Sequence, residues 1–139
     1  MSMYSAFKSD SNVEQAGVWL SFGDFRFRIA RQGGANKKFK EVAARITGPV
    51  QRAIPHMKEE QLVSIYAEIF AEAVIVDSEV KQDGEWIKGM FAEDGSVIEA
   101  NKANLMNALI DLPDLFAQIK DASEDAALYR ADIEAATGN

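Results

Sequence analysis

The stretch Phe22 to Lys40, FGDFRFRIARQGGANKKFK, is the part of the chain whose residue types most suggest chemistry. Aromatics alternate with Arg26 and Arg28. Then come Arg31, a glycine pair at Gly33 and Gly34, and the cluster Lys37, Lys38 and Lys40. Three readings fit: a grip on nucleic acid, a loop that cradles phosphate, or a surface for another protein. The Walker spacing G-x-x-x-x-G-K-[ST] is missing, so the glycines read as the hinge by which a strand turns into a helix.

Elsewhere the chemical candidates are thin. The one histidine, His56, stands beside Pro55 with no cysteine in the chain to share a metal. No serine lies in a nucleophile elbow. Glu68 and Glu72 stand one helical turn apart, as a general acid and base would, but without a cofactor or metal motif they read as a solvated stripe or a partner contact. The acids around Asp83 and Gly84 lack the spacing of a calcium loop. The expectation is therefore no catalytic residue, no metal and no cofactor: a binding protein rather than an enzyme.

Charge narrows the binding partner. The chain carries a net charge of −7, but unevenly. From Arg26 to Lys58 there are nine basic residues and one acid, net +8, and the remaining six basic and 21 acidic residues leave −15 elsewhere. A chain polarised in this way attracts an outside partner or lines up copies of itself head to tail. The residues expected to do so are Arg26, Arg28, Arg31, Lys37, Lys38 and Lys40. Overall acidity opposes non-specific binding to phosphate backbones.

The elements that must position these residues follow from periodicity. Residues 1–12 read as a flexible leader with no targeting segment, 13–136 as a single domain, and 137–139 as a frayed tail. The expected fold class is mainly α, a small helical domain with one or two short β-hairpins. The first hairpin spans about 17–31, with Gly23 and Asp24 at its turn. Phe22 then faces Phe25, Leu20 faces Phe27 and Val18 faces Ile29, all on one face, with Trp19 opposite Arg28 on the other. Asn36 is placed to cap a helix of about 37–53, which Gly48 and Pro49 bend or end early. A helix of about 58–80 follows, apolar nearly all round and so covered by neighbours or other subunits. A possible second hairpin lies in about 86–99, around Asp94 and Gly95. Asn101 caps a helix of about 102–111, Pro113 opens another, and a last helix runs from Ser123 to about 136 with Leu128, Tyr129 and Ile133 docking it. No stretch is long and apolar enough for a membrane span.

FRIARQGGANKKF, then a helix and YAEIFAEAVI, then EDGSVIEANKANLMNALIDLPDLFAQIKDAS and AALYRA, appear in an order and spacing that resembles the tail assembly chaperones of long-tailed, lambda-like bacteriophages. The matching positions are Ile29 to Arg31, Gly33 to Lys38, Tyr66 to Glu68, Asp94 and Gly95, Leu112 to Phe116, and Ala127 to Arg130. The resemblance implies a non-enzymatic helper that binds and solubilises the tape measure protein and helps recruit tail tube subunits. It implies action in the cytoplasm of the bacterial host and absence from the mature virion. It also implies a longer frameshifted form that contacts the tail tube protein. Coating a long target calls for a homo-oligomer, with Ile69, Phe70, Leu115 and Phe116 as the expected partner groove. Raising salt should weaken an assembly held by charge. The alternative reading is a small nucleic-acid-binding regulatory protein that uses the basic 26–58 segment.

Overall fold

The computed structural model describes residues 3–130. Among them 54% are helical and 21% lie in strands, so the fold is mixed α/β, and the expectation of a mainly α domain with a hairpin or two is overturned. In chain order the elements are α1 (Met3–Phe7), α2 (Ser11–Ala16), β1 (Val18–Ser21), β2 (Phe25–Ile29), α3 (Lys37–Thr47), α4 (Glu59–Ala73), β3 (Ile75–Gln82), β4 (Glu85–Lys88), β5 (Met90–Phe91), β6 (Val97–Ile98), α5 (Lys102–Asp111) and α6 (Pro113–Glu124). Single 3-10 turns occupy Gly48–Val50, Ile54–His56 and Ala126–Tyr129.

The correction comes from β3. The expected helix of 58–80 ends at Ala73, and Ile75–Gln82 becomes a strand paired on both sides, with β2 and with β4. Val74, Ile75 and Val76 are β-branched, stiff at χ1 and suited to a pleated surface. A bulge where the β2 partner shifts between Arg28 and Ile29 skips Val76, which stays 45% exposed. Past the bulge the alternation is regular: Ser78 and Val80 are buried, while Asp77 and Glu79 face the other way. The result is a four-stranded antiparallel sheet in the order β1-β2-β3-β4.

The first hairpin has the register that its alternation requires: Val18 opposite Ile29, Trp19 opposite Arg28, Leu20 opposite Phe27. The Asp83-Gly84 turn joins β3 to β4, with both residues at positive φ, 52° and 80°, as tight hairpin turns demand. The Asp94-Gly95 turn joins β5 to β6. Asn101 accepts the backbone N–H of Asn104 at 2.9 Å, and Pro113 opens α6. Asn36 precedes α3 but does not cap it with its side chain. Its amide donates to the carbonyls of Arg31 (2.9 Å) and Ala73 (3.1 Å), tying the loop to the end of α4.

The expected final helix from Ser123 is also corrected. Ser123 is buried inside α6, and after Asp125 there is one 3-10 turn. Ile133 lies outside the described residues. The segment read as a leader carries α1 and the start of α2, and Ser9 bridges to Arg130.

The helices cover one face of the sheet. Phe27, Ile29 and Ile75 form one core with Ala67, Phe70, Val74, Leu105, Leu109 and Ile119. Tyr129 is fully buried and donates its hydroxyl to the Ile29 carbonyl at 3.0 Å, and its own carbonyl accepts from Asp10 N–H at 2.8 Å. One tyrosine thus staples both ends of the described chain to the Ile29 end of β2.

Candidate binding surface

Arg26 sits on the face of the sheet away from the helices. Its guanidinium carbon lies 4.2 Å from the ring centroid of Trp19 and 4.2 Å from that of Trp86, and its Nε and NH2 donate to Glu79 at 2.9 and 2.5 Å. This sandwich follows from antiparallel register: Arg26 is opposite Glu79, and Trp86 is opposite Lys81 one strand further on. Sequence reasoning paired Trp19 with Arg28, which lies 5.8 Å from the ring, and missed the closer Arg26, because Trp86 joins the same face only through β3. The Nε of Arg28 is buried without a hydrogen-bond partner in the protein.

Arg31 donates to Glu14 at 2.6 Å and to Ser9 at 3.1 Å. The same Glu14 oxygen accepts the Ala35 N–H at 3.4 Å. A Cβ added at Gly34 would stand 1.8 Å from that oxygen. The position a phosphate would take in this glycine turn is thus filled by the chain's own carboxylate. Lys37, Lys38 and Lys40, which follow at the start of α3, are exposed.

Glu68 and Glu72 are both held by Lys102, at 2.7 and 2.8 Å, and Glu72 is also paired with Arg45. They form a network of charges between α3, α4 and α5. Among the described residues no three His, Cys, Asp or Glu side chains converge as metal ligands would.

The expected groove residues separate. Ile69 and Phe70 are buried in the core, Phe70 edge-on to Phe116 with ring centroids 5.1 Å apart. Leu115 alone of the four lines an opening. That opening is a cleft of about 650 Å³ between the Phe25 end of the sheet, the β5–β6 hairpin and helices α5 and α6. Phe25, Phe27, Met90, Phe91, Ala92, Ile98, Ala108, Leu112 and Leu115 supply its apolar lining, and Ser78, Glu93, Asn104, Asn107 and Asp111 its polar one. Its aromatics are braced: Phe22 stacks on Phe25 at 5.1 Å, and Phe91 meets Phe25 edge-on at 6.5 Å. The two charged lining residues are both acids. The aromatic residues of the first hairpin were legible in sequence; their convergence with Phe91, Leu112 and Leu115 was not.

Compared with family models, curated proteins and solved structures, the chain has no significant match.

Proposed function

We propose that this chain is a tail assembly chaperone of long-tailed bacteriophages, acting in the host cytoplasm and absent from the mature virion. In this reading it binds an apolar helical face of the tape measure protein and keeps that protein soluble. Tail tube subunits are then recruited through a longer, frameshifted form of the chaperone. The family reading is supported by the order and spacing of the motifs from Phe27 to Ala131. The cleft is the observation that carries the binding step. An apolar trough walled by helices and a hairpin, with acids and amides in its lining, suits an amphipathic helix that inserts its apolar side and carries basic residues at its flanks. A tape measure chain with long apolar faces aggregates unless such faces are covered.

Self-association belongs to the same reading, since a long target must be covered by repeated copies. The exposed Lys37, Lys38 and Lys40 steer copies toward acidic surface on a neighbour. Arg26 and Arg31 contribute less to such steering, because Glu79 and Glu14 already neutralise them within the chain.

The test is co-expression with the tape measure protein of the same phage. Expected are a soluble tape measure and a complex that survives purification, with Asn107→Trp, which fills the cleft from an exposed position on α5, releasing the partner. A tape measure that stays insoluble, or a complex indifferent to Asn107→Trp, would count against the reading.

A further inference from the structure

The short helix α1 is the most exposed apolar feature of the described chain. Met3 is 72% exposed, Tyr4 76% and Phe7 68%. Their i, i+1, i+4 spacing places them on one side of a helical turn. The helix itself bears no charge, and Lys8 follows it. Phe7 has the Arg130 guanidinium 5.1 Å from its ring, yet its own chain leaves most of it uncovered.

Placement completes the case. The root of α1 is fastened at the Ile29 end of β2, through Asp10 to Tyr129 and Tyr129 to Ile29. The cleft opens at the other end of that strand, beside Phe25. Four strand residues, about 13 Å, separate the two marks. An apolar donor and an apolar acceptor thus lie at the two ends of strand β2, the acceptor carrying Glu93 and Asp111 where Lys8 of a donor would arrive.

We infer that α1 of one copy docks, through Met3, Tyr4 and Phe7, into the Phe25–Leu115 cleft of a second copy. The contact joins two different surfaces, so copies either close, by reciprocal exchange or in a ring, or continue head to tail. An aromatic side chain buries about 150–250 Å². About a quarter of each of Met3, Tyr4 and Phe7 is already covered in its own chain, so what they add, with a similar area of cleft, is about 1,000 Å², below the roughly 1,200 Å² of a stable complex. Assembly is therefore weak and concentration-dependent. The inference deepens the proposed function and rests on its reading of the cleft as a binding site: in the free protein a neighbour's arm fills the trough, and a target helix competes for it.

Sedimentation of the purified full chain tests it. The wild-type mean mass should climb with concentration. The arm variant Tyr4→Ser/Phe7→Ser and the cleft variant Asn107→Trp should each stay monomeric, and their equimolar mixture should form a dimer and stop, since one intact donor and one intact acceptor remain. A wild type that stays monomeric overturns the inference, as does self-association that survives the arm substitutions, or a mixture that gives no dimer from two folded variants. Should Asn107→Trp unfold, the absence of native cysteine offers a second route. Ala6→Cys, which keeps Met3, Tyr4 and Phe7, mixed with Asn107→Cys should form the mixed disulfide several-fold faster than Ala6→Cys mixed with Arg52→Cys at an exposed control site; equal rates refute the contact. Failure here with tape measure binding intact removes the arm exchange and leaves the chaperone reading standing, whereas loss of tape measure binding with arm exchange intact does the reverse.

Discussion

Tyr129 shows how much one side chain can hold. Its ring is fully buried and its hydroxyl is bonded to the Ile29 carbonyl. Burial, partly offset by the Arg31 charge, pushes the phenol up to about 12 from an ordinary 10. The sign follows from linkage. The unfolded chain loses the phenolic proton near pH 10 and the folded chain only near 12. Stability is therefore complete below pH 10 and drains away as pH rises through that window, by roughly 2–3 kcal/mol at most for a two-unit displacement. Urea titrations at pH 8 to 12 check this. Tyr129→Phe should lower stability by about 1 kcal/mol at pH 8 through the lost hydrogen bond, and should remove the Tyr129 share of the fall between pH 10 and 12.

At the scale of elements, the turn from β2 into α3 is built around a carboxylate. Glu14 reaches from α2 into the glycine turn, where Arg31 and the Ala35 N–H meet it. Gly34, at φ +56°, is the residue that leaves room. Gly34→Ala both strains the backbone and collides with Glu14, and should cost about 2 kcal/mol or more. The loss is read as a lower urea midpoint with an unchanged slope. If alanine is tolerated without loss, the carboxylate is not what fixes this turn. The β3 strand teaches a related lesson. Its first residues continue an apolar helical run, and before Asp77 only the β-branched Val74, Ile75 and Val76 weigh against helix, and weakly. Helix ends here because Ile75–Gln82 gains hydrogen-bonded partners on two sides, β2 about 50 positions earlier in the chain and β4 just across the Asp83-Gly84 turn.

Over the whole molecule, the division of charge along the sequence is not a division in space. Of the nine basic residues between Arg26 and Lys58, Arg26, Arg31 and Arg45 are paired with Glu79, Glu14 and Glu72, each acid lying outside that segment. Trp19 and Trp86 also have Arg26 between them, which removes the open stacking platform that single-stranded nucleic acid needs. On the proposed reading, what remains to steer is the set of exposed lysines Lys37, Lys38 and Lys40, and what remains to hold is the apolar arm and the cleft. Raising salt from about 0.1 to 1 M, which shortens the Debye length from about 10 to 3 Å, should slow association several-fold and move assembly to a few-fold higher concentration without abolishing it. Lys37→Gln/Lys38→Gln/Lys40→Gln should act in the same way. Stopped-flow light scattering and sedimentation separate the two effects, and an assembled mass that collapses in salt would return the contact to the charges.

Local chemistry was enough to write the hairpin register of Val18–Ile29, the Asp94-Gly95 turn, the Asn101 cap and the Pro113 start, because each depends on neighbours a few residues away. The same nearness explains why an aromatic face was legible at Phe22, Phe25 and Phe27. Only the tertiary structure decided that residues 75–82 extend the sheet, that Ile69 and Phe70 are core and not groove, that Arg26 lies between two tryptophans, and that a cleft opens beside Leu115. Each of those depends on surfaces meeting across 30 to 90 residues of chain, where the free energy comes from strand pairing and shared burial and leaves no period in the sequence.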